Sequence, residues 1–226
     1  GLVRDLDSGG TGVSHGAYVP IPPGVVSPGF ARVPGVWTLV RGPALVSMWR
    51  MTITVQRFID SYAPDPDVRV PGRAFLEYAA ANAPAELVEL WTRHGLGFYG
   101  QQRLALVDPA QWSPVLQRWL GSDVRSFPFA VTSFGHVYHV EGDGPVQCLD
   151  PHFLTNNFVA PDVVGFFNDH LPSPQSHLSD LEGPRGGARA KFGDLAEGEI
   201  YCFDPPLSLG GHVAPDALAK AAGIEK

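Results

Sequence analysis

The sequence predicts an α+β fold: a central, mostly antiparallel sheet in meander order, flanked by helices, in a single domain with an irregular N-terminal extension. Three observations carry this. Helical periodicities cluster between residues 52 and 94, and β-branched and aromatic runs punctuated by turn residues cluster between 127 and 150. Mixed elements follow, so helices and strands come in separate runs rather than in the strict alternation of a doubly wound sheet. The third observation concerns the start of the chain, where Gly or Pro interrupts every few positions of residues 1–50 and only "VWTLV" has strand character. The texture changes at Met51. Residues 1–50 are therefore expected to be an irregular or disordered extension, or a leader upstream of a native start, and residues 51–226 the folded domain.

From Met51 the elements follow in order. "MTITVQRFIDSYAP" sets Val55, Phe58, Ile59 and Tyr62 at helical spacing and predicts a helix over 52–62. "PGRAFLEYAAAN" and "PAELVELWTRH" predict helices over 71–82 and 84–94, each opened by a proline suited to a first turn. In the second, Leu87, Leu90 and Trp91 form one apolar stripe, and Gly95 is placed to end the helix. "RLALVD" is a predicted strand. Asp108-Pro109 then opens the helix "PAQWSPVLQRWL", with Trp112, Val115, Leu116 and Trp119 on one face. "FPFAVTSF", "HVYHVEG" and "PVQCLD" are predicted strands, separated by Gly135 and by the turn from Gly142 to Pro145. "APDVVGFFNDHL" predicts a helix, "SPQSHLSDLEGPRGGARAKFG" a surface loop with a short helix, and "EIYCFDPPLSLGG" a strand and a proline-bent loop. "APDALAKAAG" predicts a closing helix.

Composition narrows the function. A chain of 226 residues with 44% hydrophobic and 17% charged content can bury a real core. No window approaches the ~18 uninterrupted apolar residues of a membrane span. Cys148 and Cys202 form no C-x-x-C pair, which predicts two reduced thiols in a cytoplasmic protein rather than zinc or redox chemistry. The net charge of −7 is uneven: four Arg against two Asp leave +2 in residues 1–50, so 12 basic against 21 acidic residues leave −9 in the rest. An acidic body repels nucleic acid and favours a basic partner.

No catalytic set emerges. "SFGHVYHVE" places His136 and His139 three apart, a spacing that shares a face on a helix but splits across the faces of a strand. The neighbours Phe134, Val137, Tyr138 and Val140 are strand formers, so a shared metal ion is not expected. Cys148, Asp150 and His152 are the one arrangement with a hydrolase in it, and that reading requires all three side chains to converge within about 4 Å. His94 suits the dipole at a helix C-terminus. "PRGGAR" and "LSLGGH" lack the lysine and hydroxyl of a phosphate loop. Arg185, Arg189 and Lys191 read as a solvated loop, and Asp65 and Asp67 make no metal constellation alone. No cofactor and no metal is expected, and the absence of a catalytic set favours binding over catalysis.

Three stretches together resemble GAD-like domain proteins. "LVELWTRHGLGFYGQQRLALVDPAQWSPVLQRWL" is similar to the family's helix, Gly-rich turn, strand and Asp-Pro helix ending in Trp-Leu. "AVTSFGHVYHVEGDGPVQCLDP" resembles its strand segment with a Phe-Gly pair, and "GEIYCFDPPLSLGGHVAPDALAKA" its closing segment. The likeness runs over roughly residues 55–223. His136 departs from the family, which often has an acidic residue there. The resemblance implies an immunity protein of a bacterial type VI secretion system: a cytoplasmic protein, not an enzyme, that binds and silences a cognate toxin, in some members a DNase. Candidate toxin contacts in the acidic late loops are Asp180, Glu182, Glu197 and Glu199. A SUKH-type immunity or scaffold domain is the alternative fold.

Overall fold

The computed structural model describes residues 55–176, 178 and 181–224. The expectations for residues 1–50, including the strand at "VWTLV" and the boundary at Met51, lie outside the described residues, as does Asp180.

Three helices open the fold: α1 (Gln56–Ser61), α2 (Arg73–Asn82) and α3 (Ala85–His94). The predicted stripe Leu87, Leu90 and Trp91 is buried. Gly95 ends α3 at φ 89°, where a Cβ would lie 2.5 Å from the Arg69 carbonyl oxygen. Both the left-handed backbone and the close approach demand glycine. The prolines sit outside the first turns: Gly72 caps α2, and Pro84 is itself the cap of α3.

A six-stranded antiparallel sheet follows in chain order: β1 (Gly97–Tyr99), β2 (Leu104–Leu106), β3 (Phe127–Thr132), β4 (Val137–Val140), β5 (Val146–Asp150) and β6 (Thr155–Ala160). The α+β class and the meander are as the sequence predicts. Between β2 and β3 lies α4 (Pro109–Leu120), with Pro109 in its first turn and the Asp108 carboxylate accepting from the Ala110 N–H. That cap answers one of the amides a helix start leaves unpaired. Trp112, Val115 and Leu116 are buried on α4, but Trp119 is 38% exposed, and Leu120 beside it packs on the cluster instead.

Beyond β6, the short α5 (Val163–Gly165) runs into a π-helix, Phe166–His170. Then come α6 (Glu182–Phe192), β7 (Glu199–Phe203), a 3₁₀ turn at Leu207–Leu209 and β8 (Leu218–Ala222). Three corrections arise here. Strands β1 and β6 have no counterpart in the predicted elements: β1 is too short to show alternation, and β6 opens on Thr-Asn-Asn, which reads as a loop. The segment expected to be a loop with a short helix is a helix of 11 residues, in which Arg185 is buried at 6% exposure rather than solvated. The "APDALAKAAG" segment is a strand, not a closing helix: Leu218–Ala222 pairs antiparallel with β7, from Glu199↔Ala222 to Phe203↔Leu218. Alanine's helix preference amounts to under ~1 kcal/mol per residue, and pairing β7 while burying Leu218 outweighs it.

Three apolar clusters fill the interior. On one face of the sheet, α1, α3 and the Phe166–Phe167 pair pack on Leu104, Phe129, Tyr138 and Cys148. On the other face, Trp112 and Leu116 of α4 cover Val131, Val137 and Leu149. A third cluster joins Phe98 and Phe134 to Ala188 of α6 and to Tyr201, Phe203 and Leu218 of the β7–β8 ribbon. No helix among the described residues is long and apolar enough to cross a membrane.

Candidate functional site

A cleft of about 490 Å³ opens beside β1 and β2, between the stretch 65–69 on one wall and the loop 194–199 leading into β7 on the other. Its position follows from close backbone packing. Gly97 has φ 130°, and a Cβ there would lie 2.9 Å from the Val68 Cα, so the 65–69 stretch can lie directly along β1. Two bridges fix it, Pro64↔Tyr99 and Arg69↔Leu96.

The turn after β1 shapes one wall. Gln101 and Gln102 both have positive φ, 59° and 63°, which turns their amides toward the Asp65 carboxylate; they donate to it at 2.9 and 2.7 Å. Asp67 accepts from the Phe98 N–H at 3.1 Å. The Gln102 side chain then crosses to the other wall: its Nε2 donates to the Leu195 carbonyl at 2.9 Å, and its Oε1 accepts from the Leu195 N–H at 2.8 Å. One amide therefore ties the sheet to the loop before β7, satisfying both backbone groups of a buried leucine.

The cleft is acidic. Asp65, Asp67, Asp108, Asp194, Glu197 and Glu199 line it, against Arg69 and Arg189. The Arg189 guanidinium, hydrogen-bonded to Asp194, holds that carboxyl below its ordinary value. Lys220 and the Ala196 N–H do the same for Glu199. Both acids are thus charged at neutral pH, and Glu197 pairs with Arg69 at 2.6 Å. Asp65, Asp67 and Asp108 are oriented by backbone amides rather than by cations, and it is their charge that is left to attract a basic group.

The candidates from the sequence separate. Glu197 and Glu199 stand on the cleft wall. Glu182 lies outside it, gripped by Arg103 at 2.8 and 2.8 Å and by Arg185 at 2.7 and 3.1 Å. Arg185 in turn donates to the Gln101 carbonyl at 2.7 Å, so this cluster pins α6 to the β1–β2 turn. Sequence reasoning missed Asp65, Asp67 and Gln102 as cleft residues. The only signal was the Asp-Pro-Asp spacing, and its partners lie more than 30 positions downstream.

The members of the hydrolase arrangement sit in structural surroundings. Cys148 is buried in the main core and burial pushes its thiol well up, leaving no thiolate to attack. The Asp150 carboxylate accepts from the backbone N–H groups of His152 and Phe153, capping the turn into β6. The His152 Nε2 meets the Phe134 carbonyl at 3.0 Å, while His136 Nε2 lies 3.6 Å from Asp150. His136 Nδ1 contacts the Thr132 hydroxyl, but His139 Nε2 contacts Asn156 of β6, so the two histidines of H-x-x-H serve different partners. Among the described residues no group of three or more His, Cys, Asp or Glu is placed to hold a metal ion.

Residues 54–148 match the profile of the GAD-like domain, a segment that spans α1 to β5 and the sheet side of the cleft. Among solved structures, the chain is similar to Atu4351 from Agrobacterium tumefaciens, with a TM-score of 0.59 at 14% identity over 76% of this chain and 86% of that one. At that identity the likeness speaks for the fold. No curated protein matches the chain.

Proposed function

Proceeding from the GAD-like domain at residues 54–148, we propose that this chain is an immunity protein that binds a cognate secreted bacterial toxin and silences it by stoichiometric occlusion. The toxin is a type VI secretion effector, of the basic nuclease kind, and the chain acts in the cytoplasm without catalysis of its own. The observation that carries the reading is the acidic cleft, whose carboxylates are already oriented by Gln101, Gln102, Arg189 and Lys220. A basic loop of a nuclease is drawn toward such a site, and the groups it would otherwise offer to phosphate are then covered. Exposed ion pairs contribute only ~0.2–1 kcal/mol each, so charge supplies speed and orientation while shape fit in the cleft supplies residence time. The GAD-like match favours this reading over the SUKH-type alternative.

Co-expression with the toxin encoded beside it tests the proposal. Rescue of growth and recovery of a one-to-one complex are expected, with Glu197→Lys slowing association about tenfold at low salt. Failure both to rescue and to bind would sink it.

A further inference from the structure

The sheet ends differently on its two sides. At the β1 end, the stretch 64–69 runs alongside and covers the edge. At the β6 end, no strand among the described residues pairs with the outer side of Thr155–Ala160. An unpaired edge of this length is a template for another strand, and proteins ordinarily blunt such edges with charge or proline. β6 reads TNNFVA and has neither; its register against β5 shifts at Val159, so Thr155–Phe158 is the regular run open to pairing. Phe158 on it is 66% exposed, and Phe153 and Leu154 in the turn before it are 71% and 58% exposed.

We propose that β6 pairs antiparallel with β6 of a second copy about a two-fold axis, joining the two six-stranded sheets in a weak, reversible dimer. A second copy is favoured over a different partner on charge. A strand with no ionised side chain meets itself without like-charge repulsion, although the chain as a whole carries −7. A basic partner finds nothing on this strand to steer it, and the acidic cleft lies at the other end of the sheet. The contact area agrees with weak association. A phenylalanine buries about 150–250 Å² when fully covered, so four rings already partly covered contribute at most roughly 400–700 Å². With the leucines and the paired backbone the contact approaches the ~1,000 Å² floor of specific interfaces, where complexes are transient. Five strand spacings of ~4.8 Å separate β6 from β1, so both clefts stay open in the dimer.

Sedimentation velocity on the full chain alone tests this, across about 5 to 500 μM, where mass action on a weak dimer shows. The weight-average mass is expected to climb from monomer toward dimer with concentration. Phe158→Glu should remain monomeric throughout, with far-UV circular dichroism and melting temperature confirming that it folds. Leu209→Glu, at an exposed apolar residue off the strand, should dimerise as the parent does. A parent chain that stays monomeric at the highest concentration overturns the proposal, as does a Phe158→Glu variant that dimerises undiminished. A monomeric parent whose complex with another protein is lost in Phe158→Glu also overturns it and assigns the edge to that protein. Because no toxin is present, the result is independent of the toxin-binding proposal.

Discussion

Glu182 carries two guanidinium groups at once, and that double load decides what its removal does. The hydrogen bond from Arg185, followed by that from Arg103, holds its carboxyl below the ordinary value. Glu182→Gln leaves the nearly buried Arg185 short of its counter-charge; since Glu182 itself is partly exposed, the cost should be nearer 1–2 than 3–5 kcal/mol. Chemical denaturation should show that loss at pH 7. The sign with pH is set by the depressed folded value: unfolded glutamate takes up its proton first, so the stabilisation is present above about pH 4.3 and fades below it. The difference between parent and Glu182→Gln should therefore shrink in acid. Two buried histidines act at higher pH. Burial lowers both His139 and His152, the contacts to Asn156, and to Asp150 and Phe134, opposing it only in part. The unfolded imidazoles gain protons first, so stability should fall as pH drops below about 6.5, by at most ~1.4 kcal/mol per pH unit per histidine. His139→Gln should flatten that slope in urea titrations run from about pH 7.5 to 5.5. The sequence showed that Glu182 is acidic, but not that it is gripped: Arg103 lies 79 positions away, beyond any local pattern.

Among the elements, those with long, strongly periodic patterns were legible, and those made by tertiary pairing were not. The stripe of α3 and the Asp-Pro start of α4 are local signals, and both hold. β8 and α6 run against their local signals. Five residues of LAKAA form a strand because β7 offers it a ladder, and Gly223 behind it fits where a Cβ would strike Trp112 and Ile200. α6 stands despite Gly183, Pro184, Gly186 and Gly187 because Arg185 and Ala188 are anchored in the interior. The junction from α3 to β1 gives a test at this scale. Gly95→Ala must strain a left-handed backbone and also push the Arg69 carbonyl out of its bridge to Leu96, whereas Gly121→Ala after α4, at φ 103°, meets open space. Thermal melts should show Gly121→Ala costing about 1 kcal/mol and Gly95→Ala at least twice that.

At the scale of the described residues, the two ends of one sheet differ: charge and concavity at β1, and at β6 a neutral strand with no described neighbour on its outer side. The acidic excess was visible in composition, but its concentration in one cleft was not, because the lining comes from stretches as far apart as Asp65 and Glu199. If a basic partner uses the cleft, its association rate should fall about tenfold between 50 and 300 mM salt while its dissociation rate changes little, measurable by stopped flow. Gln102 gives the contrasting case. It joins the walls through uncharged hydrogen bonds, which salt does not screen, so the width of the cleft and the strength of its field are separate settings. Gln102→Ala strands both backbone groups of Leu195 and should hasten dissociation while leaving the salt dependence of association as it was. Under the proposed toxin-binding role, attraction is free to be retuned by swapping surface acids while this one amide keeps the shape of the cleft.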